Sequence, residues 1–114
     1  MKMMLIGLDE ARMKKDGWDV TKFWKQIDDL FFNQKWTKEP QGDGKVLYVG
    51  NLESDNLLAD VCIVYRSLVN SAGFGKYCTK WIEYDNDDDE SLPFADVDFL
   101  AAEKKDGNPL FLGG

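Results

Sequence analysis

At 114 residues, with 44% apolar side chains and an aromatic set of 4 Trp, 4 Tyr and 7 Phe, the chain is long enough to bury one core and too apolar for a disordered acidic tail. A formal net charge of −7 argues against direct attraction to nucleic acid or an anionic membrane. The absence of His excludes Ser-His-Asp and Cys-His catalysis and nearly all catalytic zinc sites.

The run Met3–Leu8 reads as a first strand. The apolar start is too short for a signal peptide and is followed at once by Asp9 and Glu10. No stretch approaches the ~20 apolar residues that span a bilayer, so a single cytoplasmic domain over 1–114 is expected. Asp9–Lys15 carries good helix formers and stops at Asp16-Gly17. From Asp19 onward, Val20, Phe23, Trp24, Ile27, Leu30 and Phe31 recur at the spacing of one helix face. Asp19 is placed to cap that helix, and Trp18 to staple onto Phe23. Lys22, Lys25, Asp28 and Asp29 fall mostly off the apolar face.

Residues 35–44, with Pro40, Gly42 and Gly44, read as a loop. Gly42-x-Gly44-Lys45 precedes a strand instead of opening a helix and lacks the Ser/Thr of a phosphate loop. Lys45–Val49 reads as a buried strand closed by Gly50-Asn51. A second amphipathic helix starts near Ser54 or Asp55. Its face is Leu57, Leu58, Val61, Cys62, Tyr65, Leu68 and Val69, with Gly73 as its stop. Cys62 and Cys78 lack CxxC spacing and read as reduced, small core residues. Tyr77–Tyr84 alternates like a strand. Leu92-Pro93-Phe94 and Val97–Ala102 form an apolar block, either a strand or one to two helical turns, and Asp106–Pro109 is a turn. The whole predicts an α/β (α+β) sandwich: a small sheet of three to four strands with two amphipathic helices on one face.

Charge is uneven along this frame. Residues 1–57 carry 9 basic and 10 acidic side chains, whereas residues 58–114 carry 5 and 11. Between Glu83 and Asp98 stand eight carboxylates and no Lys or Arg, centred on Asp85-Asn86-Asp87-Asp88-Asp89-Glu90. Asp85, Asp87, Asp89 and Asp96 match positions 1, 3, 5 and 12 of a calcium loop. Glu90, however, replaces the obligatory Gly, and Pro93 holds position 9. Carboxylate catalysis needs acids converging from separate elements, and adjacent acids on one segment repel and stay solvated.

In an extended segment, alternate acids stand ~6.6 Å apart on one side, a row of charges resembling a nucleic-acid backbone. Such a surface suits the basic cleft of a nucleic-acid-processing enzyme and speeds encounter. A solvated loop that only keeps the domain soluble is the competing account. The residues expected to meet the partner are Asp85, Asp87, Asp88, Asp89, Glu90 and Asp96, with Trp81, Tyr84 and an exposed Trp36 as aromatic anchors.

Trp81-Ile82-Glu83, Leu92-Pro93, Asp98-Phe99-Leu100-Ala101-Ala102, Gly107 and Phe111 resemble the closing segment of a family of small phage anti-CRISPR proteins. Gly44, Asn51, Glu53 and Ser54 fit the same pattern more loosely. The motifs are short and cover about a quarter of the chain. The first half departs from the family, as does the long Asp run. The resemblance implies a protein that binds the nuclease domain of a type II-C CRISPR effector and blocks cleavage without chemistry of its own.

The expectation is thus a non-enzymatic protein that binds and inhibits a basic nucleic-acid-processing enzyme. It would act as an immunity protein or antitoxin against a nuclease toxin, or as an anti-CRISPR inhibitor of a defence nuclease. It needs no cofactor, small-molecule substrate, membrane or direct nucleic-acid contact. The alternative is a divalent-metal-binding or carboxylate-dependent catalytic protein that uses the same acidic run.

Overall fold

A computed structural model describes residues 1–86 and 91–112. The fold is α+β, built on one antiparallel sheet whose strands lie in the order β2-β3-β1-β4-β5. These are β1 (Lys2–Leu8), β2 (Thr37–Gly42), β3 (Lys45–Val49), β4 (Cys78–Asp85) and β5 (Ala95–Asp98). The helices are α1 (Glu10–Lys15), α2 (Val20–Phe32), α3 (Leu57–Val69), α4 (Phe74–Tyr77), α5 (Phe99–Lys105) and α6 (Pro109–Leu112). The expected class is right, but the sheet has five strands instead of three or four. Its edges are β2, which the sequence reads as loop, and β5, which together with α5 resolves the apolar block that the sequence leaves open between strand and helical turns.

The period-2 alternation of β1 separates two faces. Met4, Ile6 and Leu8 point into a buried core with Tyr48 and Trp81, covered by Val20, Phe23, Ile27 and Phe31 of α2 and Val61, Val64 and Leu68 of α3. Met3 and Leu5 point the other way and stay half-buried. Register carries this separation across the sheet. On the open face one row reads Thr37–Val49–Met3–Tyr84–Asp96, and the next reads Glu39–Leu47–Leu5–Ile82–Asp98. Each row is apolar over its three central strands and polar at both edges. Beyond them, Lys45 and Lys80 flank Gly7. A Cβ on Gly7 would stand 2.7 Å from the Thr79 hydroxyl and 3.3 Å from the Lys45 side chain. Glycine lets those side chains close over the central strand.

Local signals explain most element ends. Asp19 caps α2 by accepting from the Lys22 N–H at 3.1 Å, and Trp18 meets the Phe23 ring edge-on at 5.5 Å, the staple that the sequence predicts. The α3 cap is Asn56, which accepts from the Ala59 N–H, rather than Ser54 or Asp55. Gly73 does not end α3. With φ at 84°, it opens α4 under the Trp18 ring, which a Cβ would strike at 2.8 Å. Residues 37–42 are strand, not loop, because Asp43-Gly44 turns the chain with φ of 53° and 71°, a hairpin turn feeding β3. Pro40 is tolerated there because β2 is an edge.

Asp28 is not on a solvated face. It is buried at the inner side of α2, where it accepts from the Tyr48 hydroxyl and from Lys38 Nζ, both at 2.7 Å. Tyr48 also stacks on Phe31 with ring centroids 3.8 Å apart. Burial and the neighbouring carboxylate push the Tyr48 hydroxyl far above its ordinary value, so it remains a proton donor. The contacts tie α2 to the β2–β3 edge. Of the two cysteines, Cys78 is a buried residue whose thiol is pushed up to about 12 by desolvation, but Cys62 is exposed on α3.

Candidate functional site

The acidic run links β4 to the exposed edge strand β5, so strands rather than helices flank it. Asp85 ends β4 on the helix-facing side and is ion-paired with Lys2 of β1. The Asn86 N–H donates to the Met1 carbonyl at 3.3 Å, which extends the β1–β4 pairing by one bond. Asp87, Asp88, Asp89 and Glu90 lie outside the described residues. Beyond them, Leu92 and Phe94 are exposed and lead into β5, all four of whose residues are exposed.

Tyr84 and Asp96 face each other across the β4–β5 pair on the open face, Tyr84 half-buried and Asp96 exposed. Asp98 stands beside Ile82 in the next row and caps α5, accepting from the Ala101 N–H at 2.9 Å. The fold therefore puts one aromatic and two carboxylates at the β5 end of the apolar rows. Among the described residues, no group of three or more His, Cys, Asp or Glu is gathered as a metal site would require. No helix of the described residues is long and apolar enough to cross a membrane.

Two expected anchors are elsewhere. Trp81 is 0% exposed, because strand parity turns it inward with Ile6, where it stacks on Tyr65 at 4.9 Å and Phe111 at 5.9 Å. Trp36 is 2% exposed and leans on Phe31 at 5.3 Å. Both are core residues and cannot serve as surface anchors. Their indole N–H groups differ: that of Trp81 points at Met4 Sδ, whereas that of Trp36 has no partner among the described residues.

The residue that sequence reasoning passed over is Glu83. It counted only as one of eight acids, yet it shares the inward face of β4 with Trp81 and is 9% exposed. The signal was the same alternation that turns Trp81 inward, continued two residues further. Desolvation raises the Glu83 carboxyl above its ordinary value of 4.5, and the charge of Lys2 offsets this in part.

A raised folded-state value means that the folded protein holds its proton more tightly than the unfolded chain does. Stability linked to Glu83 is therefore present below pH 4.5 and lost as pH rises through the raised folded value. Glu83→Gln is expected to raise Tm at neutral pH, with the gain shrinking toward zero below pH 4.5. Thermal melts of both proteins across that range check it, and an equal gain at every pH would contradict it.

Comparison of this chain with family models, with curated proteins and with solved structures finds no match.

Proposed function

We propose that this protein works by binding, and that it inhibits a basic nucleic-acid-processing enzyme through the β5 end of its sheet. The observation that carries the reading is the Tyr84–Asp96 pair on the helix-free face, at an exposed edge strand entered directly from the acidic run. The open face offers an apolar centre of Met3, Leu5, Leu47, Val49, Ile82 and Tyr84, the kind of surface that interfaces bury at their core. Acids at its β5 edge would steer a basic partner toward that centre and fix its orientation. The outer side of edge strand β5 adds a template for strand addition by the partner.

The partner setting is a nuclease toxin met by its immunity protein, or a defence nuclease met by a phage inhibitor. The short C-terminal motifs favour the second, with the nuclease domain of a type II-C effector as target. The competing use of these acids, metal binding or carboxylate chemistry, predicts a stoichiometric calcium or magnesium site in calorimetry. The docking reading predicts none of micromolar strength.

Binding is tested with the full chain immobilised and guide-loaded type II-C effector, or a basic nuclease toxin, in solution. Association with one of them should slow as salt rises from 50 to 500 mM, about the range over which the screening length falls from roughly 14 to 4 Å. Association with neither class of nuclease, or with equal rates at all salt concentrations, would refute the electrostatic docking account.

A further inference from the structure

On the helix-facing side, next to β5, a groove of about 520 Å³ runs between α3 and the β4–α5 layer. Its walls are apolar: Leu58, Val61 and Val69 from α3, and Phe99 from the start of α5. One acid lies among them. Glu83 lines the groove, is nine-tenths buried, and makes no hydrogen bond or ion pair among the described residues. Lys2, on the same sheet face, is ion-paired with Asp85 and acts on Glu83 through its charge. Arg66 also lines the groove, but it is exposed to solvent and forms no pair with Glu83. A carboxylate desolvated by a mostly apolar wall and given no partner by the described residues is open to a cation from outside.

The geometry points to this groove as the seat of a lysine side chain from the partner protein, with Glu83 as the counter-charge for its ammonium. Lysine matches both halves of the site. Its four-carbon stem can lie along Leu58, Val61, Val69 and Phe99, while its ammonium supplies the donors that Glu83 lacks. A purely apolar occupant would bury the carboxylate further with nothing to satisfy it. Desolvation of the carboxyl, which raises it above 4.5, is the cost that an incoming cation would relieve.

Position agrees with the same occupant. Val97 of β5 stands across from Glu83 on this face and is 49% exposed, so Glu83 lies one strand in from the edge assigned to docking. The assignment rests on the docking reading above, since it names the side chain by which a basic partner is held.

The test is an amide-resolved NMR titration of the full chain with N-acetyl-lysine-N-methylamide, its uncharged norleucine analogue and n-hexylammonium chloride. The lysine compound should shift amides in α3 and around Phe99, and bind roughly 10-fold more tightly than norleucine. Glu83→Gln should abolish that preference while keeping the dispersed spectrum of the folded chain. Leu58→Ser, at an exposed wall position, should weaken binding of both compounds. Equal binding of lysine and norleucine, an unchanged preference in Glu83→Gln, or no shifts at all would overturn the assignment. So would n-hexylammonium binding 10-fold or more tightly than the lysine compound, since the ligand would then be a free amine. No nuclease is present in this titration, so its failure is distinct from a failure to bind or inhibit one.

Discussion

Trp81→Ala is expected to cost about 3–5 kcal/mol of folding stability, the range for deleting a fully buried large aromatic. Trp81 is 0% exposed and sits where four rings meet: Tyr65 and Phe111 stacked on it, Phe74 and Phe99 edge-on at 5.2 and 5.3 Å. These partners come from α3, α4, α5 and α6, so one residue joins β4 to every helix of the second half. Against a total stability of roughly 5–15 kcal/mol for a domain this size, the loss is large. It should appear as a fall in Tm of roughly 12–20 °C, at about 4 °C per kcal/mol for a domain of this length. Denaturant melts with unchanged m-values check the number. A variant that melts like the parent but no longer binds its partner would return Trp81 to the surface.

The same residue shows how far the sequence could be read. Its strand, the α2 helix with its Asp19 cap and Trp18 staple, and the sheet-with-helices class were all legible, because each is written in local periodicity or capping chemistry. Which of two strand faces is inward is not local. Trp81 and Tyr84 differ only in parity, and parity is decided by the pairing of β4 with β1, which sets Trp81 beside Ile6 and Tyr84 beside Met3.

Of the edge strands, the sequence reads β2 as loop and leaves β5 open between strand and helix, for a related reason. Thr37–Gly42 has no apolar alternation because it buries nothing, and its only signal was the Asp43-Gly44 turn that follows it. Ala95–Asp98 is four residues long and exposed throughout. In sequence, Asp28 falls mostly off the apolar face of its helix and Glu83 is one of eight acids between residues 83 and 98. The structure buries one against Tyr48 and the other beside a groove, neither of which can be seen from neighbours in sequence.

Neutralising the acidic connection is expected to have the largest effect on function. Asp87, Asp88, Asp89 and Glu90 changed together to Asn or Gln take the formal charge from −7 to −3, since four carboxylates are removed. Asp85 is left in place because it is bonded to Lys2, and its loss would disturb the β1–β4 pairing instead of testing recognition. Steered association runs orders of magnitude above the unsteered rate, so a loss of about 10- to 100-fold in association rate at low salt is expected, with dissociation little changed. The variant should melt within about 1 kcal/mol of the parent, the result expected if these four carboxylates act in recognition and not in packing. Asp96→Asn alone should slow association less than the fourfold change, because it removes one charge instead of four. Stopped-flow or biolayer measurements at 50 and 500 mM salt separate the two rates. An unchanged association rate would reduce the acidic run to a solubility device.

The most direct measurement is a cleavage titration. Guide-loaded type II-C effector, or a basic nuclease toxin, is mixed with its nucleic-acid substrate and increasing amounts of this protein, and product is followed over time. A stoichiometric binder that occupies the enzyme through the β5 edge predicts that cleavage stops near one equivalent. The block should weaken at high salt and in the fourfold neutralised variant, and the substrate should be neither bound nor altered by this protein alone. Cleavage that continues at the uninhibited rate for both classes of nuclease with excess protein present would contradict the account.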